Sequence, residues 1–348
     1  MSLPIEIKPV DRDFYESRLR DFLPERIVDI HAHVWIGEPM IVDRAQSWPG
    51  RVAKDNPIED HLETYRLMLP GKEVLPLIFS SPGSGGDHDT LNDYVTRSSR
   101  QHDVPALILS SPEWSAHELE EKILAGGFLG AKPYLSFAPS YLPAEEIRIF
   151  DFLPPHQLEV LDRRGLIVML HIPRPGRLRD PVNLAQMLEI EQRYPNIRLI
   201  IAHVGRAYCT EDVGDAFETL APAQKMFFDF SASTNEEVFR MLIRAVGPRR
   251  ILFGSDMPIL RMRMRRICES GRYVNLVPKG MYGDVSDDPH MRDVEGEEAE
   301  RLTFFLYEEI DAFHRAAEAE GLAPADIEDV FYNNAKTMLE EARKGAEA

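Results

Sequence analysis

Eight short apolar runs, rich in β-branched residues, recur along this chain of 348 residues, and segments with helical periodicity separate them. Runs without polar alternation are typical of parallel strands that are covered on both faces. Eight strands alternating with helices therefore predict an α/β fold, a (β/α)8 TIM barrel. An open doubly wound sheet fits less well, because its first strand would more often end in a glycine-rich phosphate turn, where this chain has His-Ala-His. The runs are RIVDIHAHVW (26–35), EVLPLIFS (73–80), PALILSSP (105–112), GFLGAKPYLSF (127–137), LIVMLHIPR (166–174), IRLIIAHVGR (197–206), MFFDFSA (226–232) and ILFGSDMP (251–258).

We expect a single domain over residues 1–348, with the barrel between residues 26 and 340. Two connections are long: residues 36–72 follow the first strand, and residues 259–330 follow the eighth. Both leave the carboxyl ends of strands, where barrel enzymes build their active sites, so we interpret them as active-site lids with some helix of their own. The acidic run SDDPHMRDVEGEEAE within the second is predicted to be solvated or mobile.

The balance of charges limits the partners. The formal net charge is −18, from 40 Lys and Arg against 58 Asp and Glu, which argues against nucleic acid or an anionic membrane as a partner. No window approaches the roughly 18 apolar residues of a membrane span, and no apolar leader opens the chain, so a cytoplasmic location is predicted. With only two cysteines, Cys209 and Cys268, we expect no disulfide framework and a reducing compartment.

Metal-capable side chains follow four of the predicted strands. His31 and His33 lie two residues apart on the first strand and therefore share a face, which would make half of a zinc site. That pattern alone is common in surface strands and loops. However, His171 ends the fifth run, His203 ends the sixth, and Asp256 follows the eighth. Each could singly be a satisfied buried polar group, but the common register of all five favours one metal site at the carboxyl end of the barrel.

The order H-x-H, His, His, Asp on strands one, five, six and eight resembles the amidohydrolase superfamily. The segments VDIHAHVW, MLHIP, IIAHVG, LFGSDMP and the late NNA resemble its amidohydrolase-2 group, which includes aminocarboxymuconate-semialdehyde decarboxylase and related hydrolases and lactonases. The resemblance extends from about residue 26 to residue 340. It implies that His31, His33, His171 and Asp256 hold one divalent metal, usually zinc. It also implies that His203 lies close to the metal without always binding it, and that Asp256 accepts a proton from metal-bound water.

The chemistry of these donors agrees with that implication. Neutral imidazoles and one carboxylate suit zinc or a similar first-row ion, with manganese and iron as alternatives. Three or four protein ligands leave a position for water, whose pKa falls towards about 7 on zinc. Asp256 could take its proton and pass it to a leaving group, and His203 could stabilise an oxyanion or act as an acid.

Two positions depart from the family pattern. Decarboxylase relatives often have Gly-Gly after the histidine of strand six, whereas this chain has Gly205 and Arg206. Members of the superfamily with two metals carry a carboxylated lysine on strand four, where this chain has Lys132. We favour instead a lysine that extends from the barrel end or binds substrate.

The substrate is expected to carry a carboxylate. Arg174 and Arg206 each follow a predicted metal-site histidine by three residues, and arginine suits forked binding of carboxylates. Alternatively, these arginines pair with surplus acidic residues, which is the preferred interpretation for the segment RMRMRR (261–266), predicted as a helix. Lys132 and Trp35 complete the predicted substrate-binding set.

Other candidates carry weaker indications. The segment SSPGSGGDHDT (80–90) is glycine-rich but lacks the ending of a phosphate loop, so it is interpreted as a loop that lines the site. The seven remaining histidines, His61 among them, fall in predicted helices and loops and are expected at the surface.

The predicted function is hydrolysis of a C–O or C–N bond in a small carboxylated lactone, ester or amide by metal-activated water. Non-oxidative decarboxylation of an unsaturated or aromatic acid on the same metal site is the alternative, and a barrel that binds a ligand without turnover is a third hypothesis. A homodimer is plausible from the prevalence of symmetric oligomers.

Overall fold

Each predicted apolar run contains a strand in the computed structural model of the protein, which describes residues 5–36, 51–82 and 87–347. The strands are shorter than the runs because the carboxyl-terminal part of each run bends into a loop. They are β1 (Arg26–His33), β2 (Glu73–Phe79), β3 (Ile108–Leu109), β4 (Gly130–Lys132), β5 (Ile167–Leu170), β6 (Arg198–Ile201), β7 (Phe227–Asp229) and β8 (Ile251–Leu252).

These eight strands form a closed ring. β1 pairs with β2, and β3 to β8 pair in chain order, all in parallel. A parallel bridge between Ile78 and Ala106 joins β2 to β3, and one between Ala32 and Met257 joins β1 to the segment after β8. The predicted TIM barrel is therefore confirmed.

Helices surround the ring and follow the strands in alternation. Gly127, with a φ of 72°, ends one of them in the left-handed conformation that glycine adopts without penalty. Single π-helical turns span Tyr15–Leu19 and Asp329–Asn333. The helices are α1 (Pro9–Phe14), α2 (Ile58–Met68), α3 (His88–His102), α4 (Ala116–Gly126), α5 (Ile149–Phe152), α6 (Pro155–Arg163), α7 (Pro181–Arg193), α8 (Ala216–Thr219), α9 (Glu236–Val246), α10 (Gly296–Glu300), α11 (Phe305–Ala319), α12 (Pro324–Glu328) and α13 (Asn334–Glu347).

A bulge in β1 sets which side chains face the barrel interior. Val28 and Ile30 belong to the apolar cluster contributed by the strands around the ring and by α13. The pairing of β1 with β2 shifts between Asp29 and Ala32. This bulge changes the phase of the side-chain alternation. Two consecutive side chains therefore face the interior: Ile30 packs in the apolar cluster, and His31 lies above it, at the carboxyl end of the barrel.

The long connection after β8 contains a small second sheet. Its strands are β9 (Arg265–Glu269), β10 (Arg272–Pro278) and β11 (Met291–Val294), with β9 and β10 antiparallel and β10 and β11 parallel. The helix predicted for residues 261–266 is therefore wrong, because only a single 3₁₀ turn at Ile259–Arg261 precedes β9. The acidic run predicted as solvated or mobile is mostly exposed, and it contributes β11 and α10. Of the other predicted lid, residues 37–50 lie outside the described part of the chain.

Two further expectations are corrected. Cys209, after β6, and Cys268, in β9, form a disulfide, with the sulfur atoms 2.14 Å apart. The two cysteines are 59 residues apart and show no pattern in the sequence, so only the fold brings them together. Because they are bonded, their small number no longer indicates a reducing compartment. His61, expected at the surface, is fully buried in α2. No helix among the described residues is long and apolar enough to cross a membrane.

Candidate metal centre

Seven of the nine predicted site residues meet in a cavity of about 330 Å³ at the carboxyl ends of the strands. Ser81 and Pro82, from the glycine-rich segment, also line it, whereas residues 83–86 of that segment lie outside the described ranges. A larger cavity of about 550 Å³ opens beside Arg26 at the amino-terminal end of β1 and contains none of the predicted site residues. The predicted residues that line the smaller cavity are His31, His33, Trp35, Lys132, His171, His203 and Asp256.

Imidazole nitrogens of β1 converge on the carboxylate of Asp256. His33 Nε2 lies 3.1 Å and His31 Nε2 lies 3.4 Å from the same oxygen, Asp256 Oδ1. Donor atoms of His31, His203 and Asp256 all lie within 4.8 Å of one another. Two nitrogens and one carboxylate oxygen at such separations form the donor set of a first-row divalent metal.

Asp229, at the end of β7, orients two of these histidines. His31 Nδ1 donates to Asp229 Oδ2 at 3.0 Å, which leaves the lone pair of Nε2 directed at the cavity. The backbone N–H of His203 donates to the other oxygen of Asp229 at 2.9 Å. Asp229 was not among the predicted site residues, although its sequence signal is visible: a carboxylate interrupts the apolar run MFFDFSA at its strand end.

Ser231 holds the ring of His203. His203 Nδ1 lies 2.9 Å from Ser231 Oγ and 3.1 Å from the backbone oxygen of Ser231. Since a carbonyl oxygen only accepts, the proton of neutral His203 is placed on Nδ1, and Nε2 presents a lone pair. Sequence reasoning also missed Ser231, because a buried serine two residues beyond Asp229 carries no distinctive pattern.

The backbone that carries His203 forms a left-handed turn. The φ angles of His203, Val204, Gly205 and Arg206 lie between 49° and 61°. Such a conformation costs a residue with a Cβ roughly 1–2 kcal/mol, and sustained strain of this kind is a feature of functional sites. A Cβ added to Gly205 would lie 2.6 Å from Leu178 Cδ1, so this position of the turn also needs glycine for space.

His171 enters the cavity from the end of β5 without a polar partner on one ring nitrogen. Its Nδ1 is buried, and no hydrogen-bond partner for it exists among the described residues. Its ring lies 5.4 Å from that of His203, centroid to centroid. An unsatisfied buried nitrogen at a cavity wall is costly unless a ligand takes its lone pair, so His171 fits the predicted role of a metal ligand.

Burial sets the protonation of the site. It lowers the pKa of His31, His33 and His171, and it lowers the pKa of His203 to about 4, so these imidazoles are neutral near pH 7. Burial alone would raise the pKa of Asp256, but the surrounding imidazoles and the hydrogen bond with His33 outweigh it and hold that pKa below its usual range. Neutral nitrogens beside an ionised carboxylate are the protonation states that metal binding requires.

Lys132 and Trp35, both predicted to bind substrate, lie in the cavity. Lys132 is 1% exposed at the end of β4, so it does not extend out of the barrel end. Burial lowers its pKa to about 8, against the opposing effect of Asp229 and Asp256. Trp35 is buried, and its Nε1 donates to the backbone oxygen of Lys54 at 3.1 Å. Tyr134, which was not predicted, lines the same wall with its hydroxyl 3.4 Å from His33 Nδ1.

The two predicted loop arginines do not line the cavity. Arg174 Nε pairs with Asp180 at 3.1 Å. This contact agrees with the alternative interpretation, in which the arginine pairs with an acidic residue of the protein. Arg206 Nη1 donates to the backbone oxygens of Ile172 and Pro173 at 3.3 and 3.0 Å, within the loop that follows His171. Both guanidinium groups thus have partners in the protein, and their role towards a substrate stays a prediction.

Behind β1, a chain of buried polar groups connects the site to α2. Tyr65 donates to Asp29 Oδ2 at 2.5 Å and accepts from His61 Nε2 at 2.7 Å. Asn56 Nδ2 lies 3.3 Å from His61 Nδ1 and donates to the backbone oxygen of His33 at 2.5 Å. Arg261 Nη2 donates to Asn56 Oδ1 at 2.6 Å and completes the chain. The carbonyl of a candidate metal ligand is therefore held by Asn56, which in turn contacts His61 of α2 and Arg261 from the segment after β8.

Comparison with known proteins agrees with this geometry. The family model Amidohydro_2, described as amidohydrolase, matches residues 28–340. Comparison with curated proteins gives no match. Solved structures share the fold at low identity. A probable 2-pyrone-4,6-dicarboxylic acid hydrolase from Acinetobacter baumannii, with citric acid bound, is 16% identical with a TM-score of 0.53, covering 90% of this chain and 99% of its own.

Two decarboxylase structures are similar to the same degree. A dihydroxybenzoic acid decarboxylase from Polaromonas sp. JS666, with manganese and the inhibitor 2-nitroresorcinol, is 15% identical with a TM-score of 0.54, covering 91% of this chain and 97% of its own. A 5-carboxyvanillate decarboxylase from Novosphingobium aromaticivorans, with manganese and 4-hydroxy-3-methoxy-5-nitrobenzoic acid, is 12% identical with a TM-score of 0.52, covering 91% and 96%.

Proposed function

The chain belongs to the amidohydrolase family, and on that premise we propose that it hydrolyses a C–O or C–N bond of a small carboxylated lactone, ester or amide. The observation that carries the proposal is the convergence of His31 Nε2 and His33 Nε2 on Asp256 Oδ1, with His203 within 4.8 Å of His31 and Asp256. Members of this family are metal-dependent enzymes. We assign one divalent ion to this chain, with zinc first and manganese or iron as alternatives.

His31, His33, His171 and Asp256 would hold the ion. When bound, a divalent metal would lower the pKa of water and polarise the carbonyl oxygen of the substrate. Asp256, ionised and only 16% exposed, accepts the proton of the attacking water and returns it to the leaving group. The Nδ1 proton of neutral His203 is directed at Ser231, so Nε2 presents a lone pair and accepts a hydrogen bond. This tautomer does not fit the role of acid or oxyanion stabiliser that was expected from the sequence.

Decarboxylation of an unsaturated or aromatic acid is the second candidate. Two decarboxylases are among the similar folds, and one of them is bound to a substituted benzoic acid. The cavity wall is partly aromatic, through Trp35 and Tyr134, and such a wall suits a planar acid. The products distinguish the two reactions, because a lyase releases CO2 and a hydrolase forms a new acid without CO2.

The test combines metal analysis with a substrate screen. Purified protein is analysed for zinc, manganese and iron, and then lactones, esters, amides and aromatic acids are screened with detection of both acid and CO2. We expect one metal per chain and new acid without CO2.

Asp256→Asn should lower kcat by about 10²–10⁴-fold, the usual effect of losing a positioned proton acceptor. The exposed Asp293→Asn serves as the matched control. Undiminished turnover by Asp256→Asn, or protein without metal or turnover, would contradict the proposal.

A further inference from the structure

Lys132 is the only lysine that is buried among the described residues. Its ammonium lies 5.1 Å from the ring centroid of Phe79 and 5.2 Å from that of Tyr134, within the range of cation–π contacts. No carboxylate of the described residues lies within 4.0 Å of Lys132 Nζ, and its polar contact is His31 Nε2 at 3.5 Å. A buried cation is thus held by two aromatic rings and one imidazole nitrogen, without a paired anion.

Lys132 would lose its one polar contact when a metal is bound. His31 Nε2 is one of the nitrogens assigned to the metal, and its single lone pair cannot serve both the metal and the ammonium. Lys132 then keeps the two ring faces as its close contacts, while Asp229 and Asp256 act on it from beyond 4.0 Å. Because a buried unpaired cation is costly, this position is suited to an anion that enters with the ligand.

We propose that Lys132 binds the anionic group of the substrate from inside the barrel, an inference that rests on the proposed function. The loop arginines Arg174 and Arg206 are already engaged by Asp180 and by backbone carbonyls, away from the cavity. Lys132 offers one point charge between two rings rather than a planar fork. The substrate is therefore a compact, flat monoanion whose carboxylate reaches Lys132 while its apolar body lies against Trp35 and Ile259.

The experiment measures binding rather than turnover. Benzoate and its neutral isostere benzamide are titrated by calorimetry into the manganese-loaded protein as wild type, Lys132→Met and Lys225→Met. Lys225 is an exposed lysine at the amino-terminal end of β7 and is the matched control. Lys132→Met should weaken benzoate by about 10- to 100-fold, as expected for a hydrogen bond to a charged group, and leave benzamide within twofold. Lys225→Met should leave both affinities unchanged.

Several outcomes would overturn the assignment. Benzoate affinity that is unchanged in Lys132→Met but lost in Arg174→Met or Arg206→Met would place the anion at the loops. A mass increase of one CO2 on Lys132 in bicarbonate buffer, with two metals per chain, would make the lysine a carboxylated metal ligand instead. If Lys132→Met fails to fold, equal affinities of wild type for benzoate and benzamide would reject the subsite.

Failure of the proposed function has a different signature. Benzoate binding that depends on Lys132, in a metal-loaded protein that turns over none of the screened substrates, would leave the subsite standing and reject the hydrolase. Turnover together with benzoate binding that is independent of Lys132 would support the hydrolase and reject the subsite.

Discussion

Asp229 lies outside the candidate donor set but orients two of its histidines. It accepts from His31 Nδ1, from the backbone N–H of His203 and from the hydroxyl of Ser231. The neighbouring imidazoles and the Ser231 hydroxyl hold the pKa of Asp229 below its usual range, although burial alone would raise it. An ionised acceptor on Nδ1 fixes the tautomer of His31 and increases the basicity of Nε2.

We therefore predict that Asp229→Asn weakens metal binding. The substitution keeps the shape but replaces the anion that orients His31, and loss of such an outer partner typically lowers affinity by about 10- to 100-fold. Competition with a chromogenic chelator measures the dissociation constant. The exposed Asp215→Asn should retain wild-type affinity. Equal dissociation constants for wild type and Asp229→Asn would show that Asp229 does not orient His31.

Among the helices, α2 carries a buried histidine, His61, that makes the free energy of unfolding depend on pH. His61 accepts from Asn56 and donates to Tyr65, and burial lowers its pKa well below the usual value for histidine. In the unfolded chain, His61 takes up a proton as the pH falls through about 6.5. The unfolded state then binds more protons than the folded state, so stability is present above this pH and is lost below it.

His61→Gln should accordingly make the protein less sensitive to acid. Removing one such proton uptake reduces the slope of unfolding free energy against pH by up to about 1.4 kcal/mol per pH unit below pH 6.5. Urea unfolding at several pH values between 5 and 8 gives the two slopes. His117→Gln, at a position whose side chain is 80% exposed, is the control and should follow wild type. Parallel slopes for His61→Gln and wild type would contradict the prediction.

The hairpin of β9 and β10 in the small sheet has a local sequence signal at its turn. Apolar and basic residues alternate only over RMRMR (261–265), and the alternation stops where β9 (Arg265–Glu269) begins. Ser270 and Gly271 both have positive φ, at 51° and 74°, and form the two-residue turn between β9 and β10. The turn residues therefore predict where the chain reverses, whereas the antiparallel pairing of β9 with β10 is not evident from the period of the local sequence.

At the scale of the whole molecule, the disulfide joins the small sheet to the barrel. Cys268 lies in β9, and Cys209 follows the left-handed turn that carries His203. Arg266, also in β9, donates to the backbone oxygen of Ala232 in the loop after β7. The second sheet is thus fixed to the two loops that position His203 and Ser231, so its attachment bears on the site as well as on stability.

Removing this crosslink should destabilise the protein. The two cysteines are 59 residues apart, and closing a loop of that length contributes about 2–4 kcal/mol. Wild type in dithiothreitol and the double variant Cys209→Ala, Cys268→Ala should therefore both unfold at lower urea concentration than oxidised wild type. The double variant should not respond to dithiothreitol. Two free thiols in untreated wild type, with no effect of the reductant, would show that the bond does not form.

Hydrophobic period and chain order were sufficient to predict the barrel and the residues that gather at its candidate metal centre. Eight apolar runs require eight strands buried on both faces, and polar residues at the ends of strands one, five, six and eight must gather where parallel strands end together. The cavity location of Lys132 and Trp35 follows from the same rule. These features were predictable because period and chain order are local properties.

The partners that each side chain meets depend on the tertiary structure. The bulge that turns both Ile30 and His31 inward depends on the pairing of β1 with β2, and the bond between Cys209 and Cys268 depends on where the second sheet docks. Arg174 and Arg206 each follow a strand that ends in a site histidine, yet they pair with Asp180 and with backbone oxygens and do not line the cavity. Contacts between residues distant in the chain depend on packing and on the cost of burying unpaired charge, which no local pattern encodes.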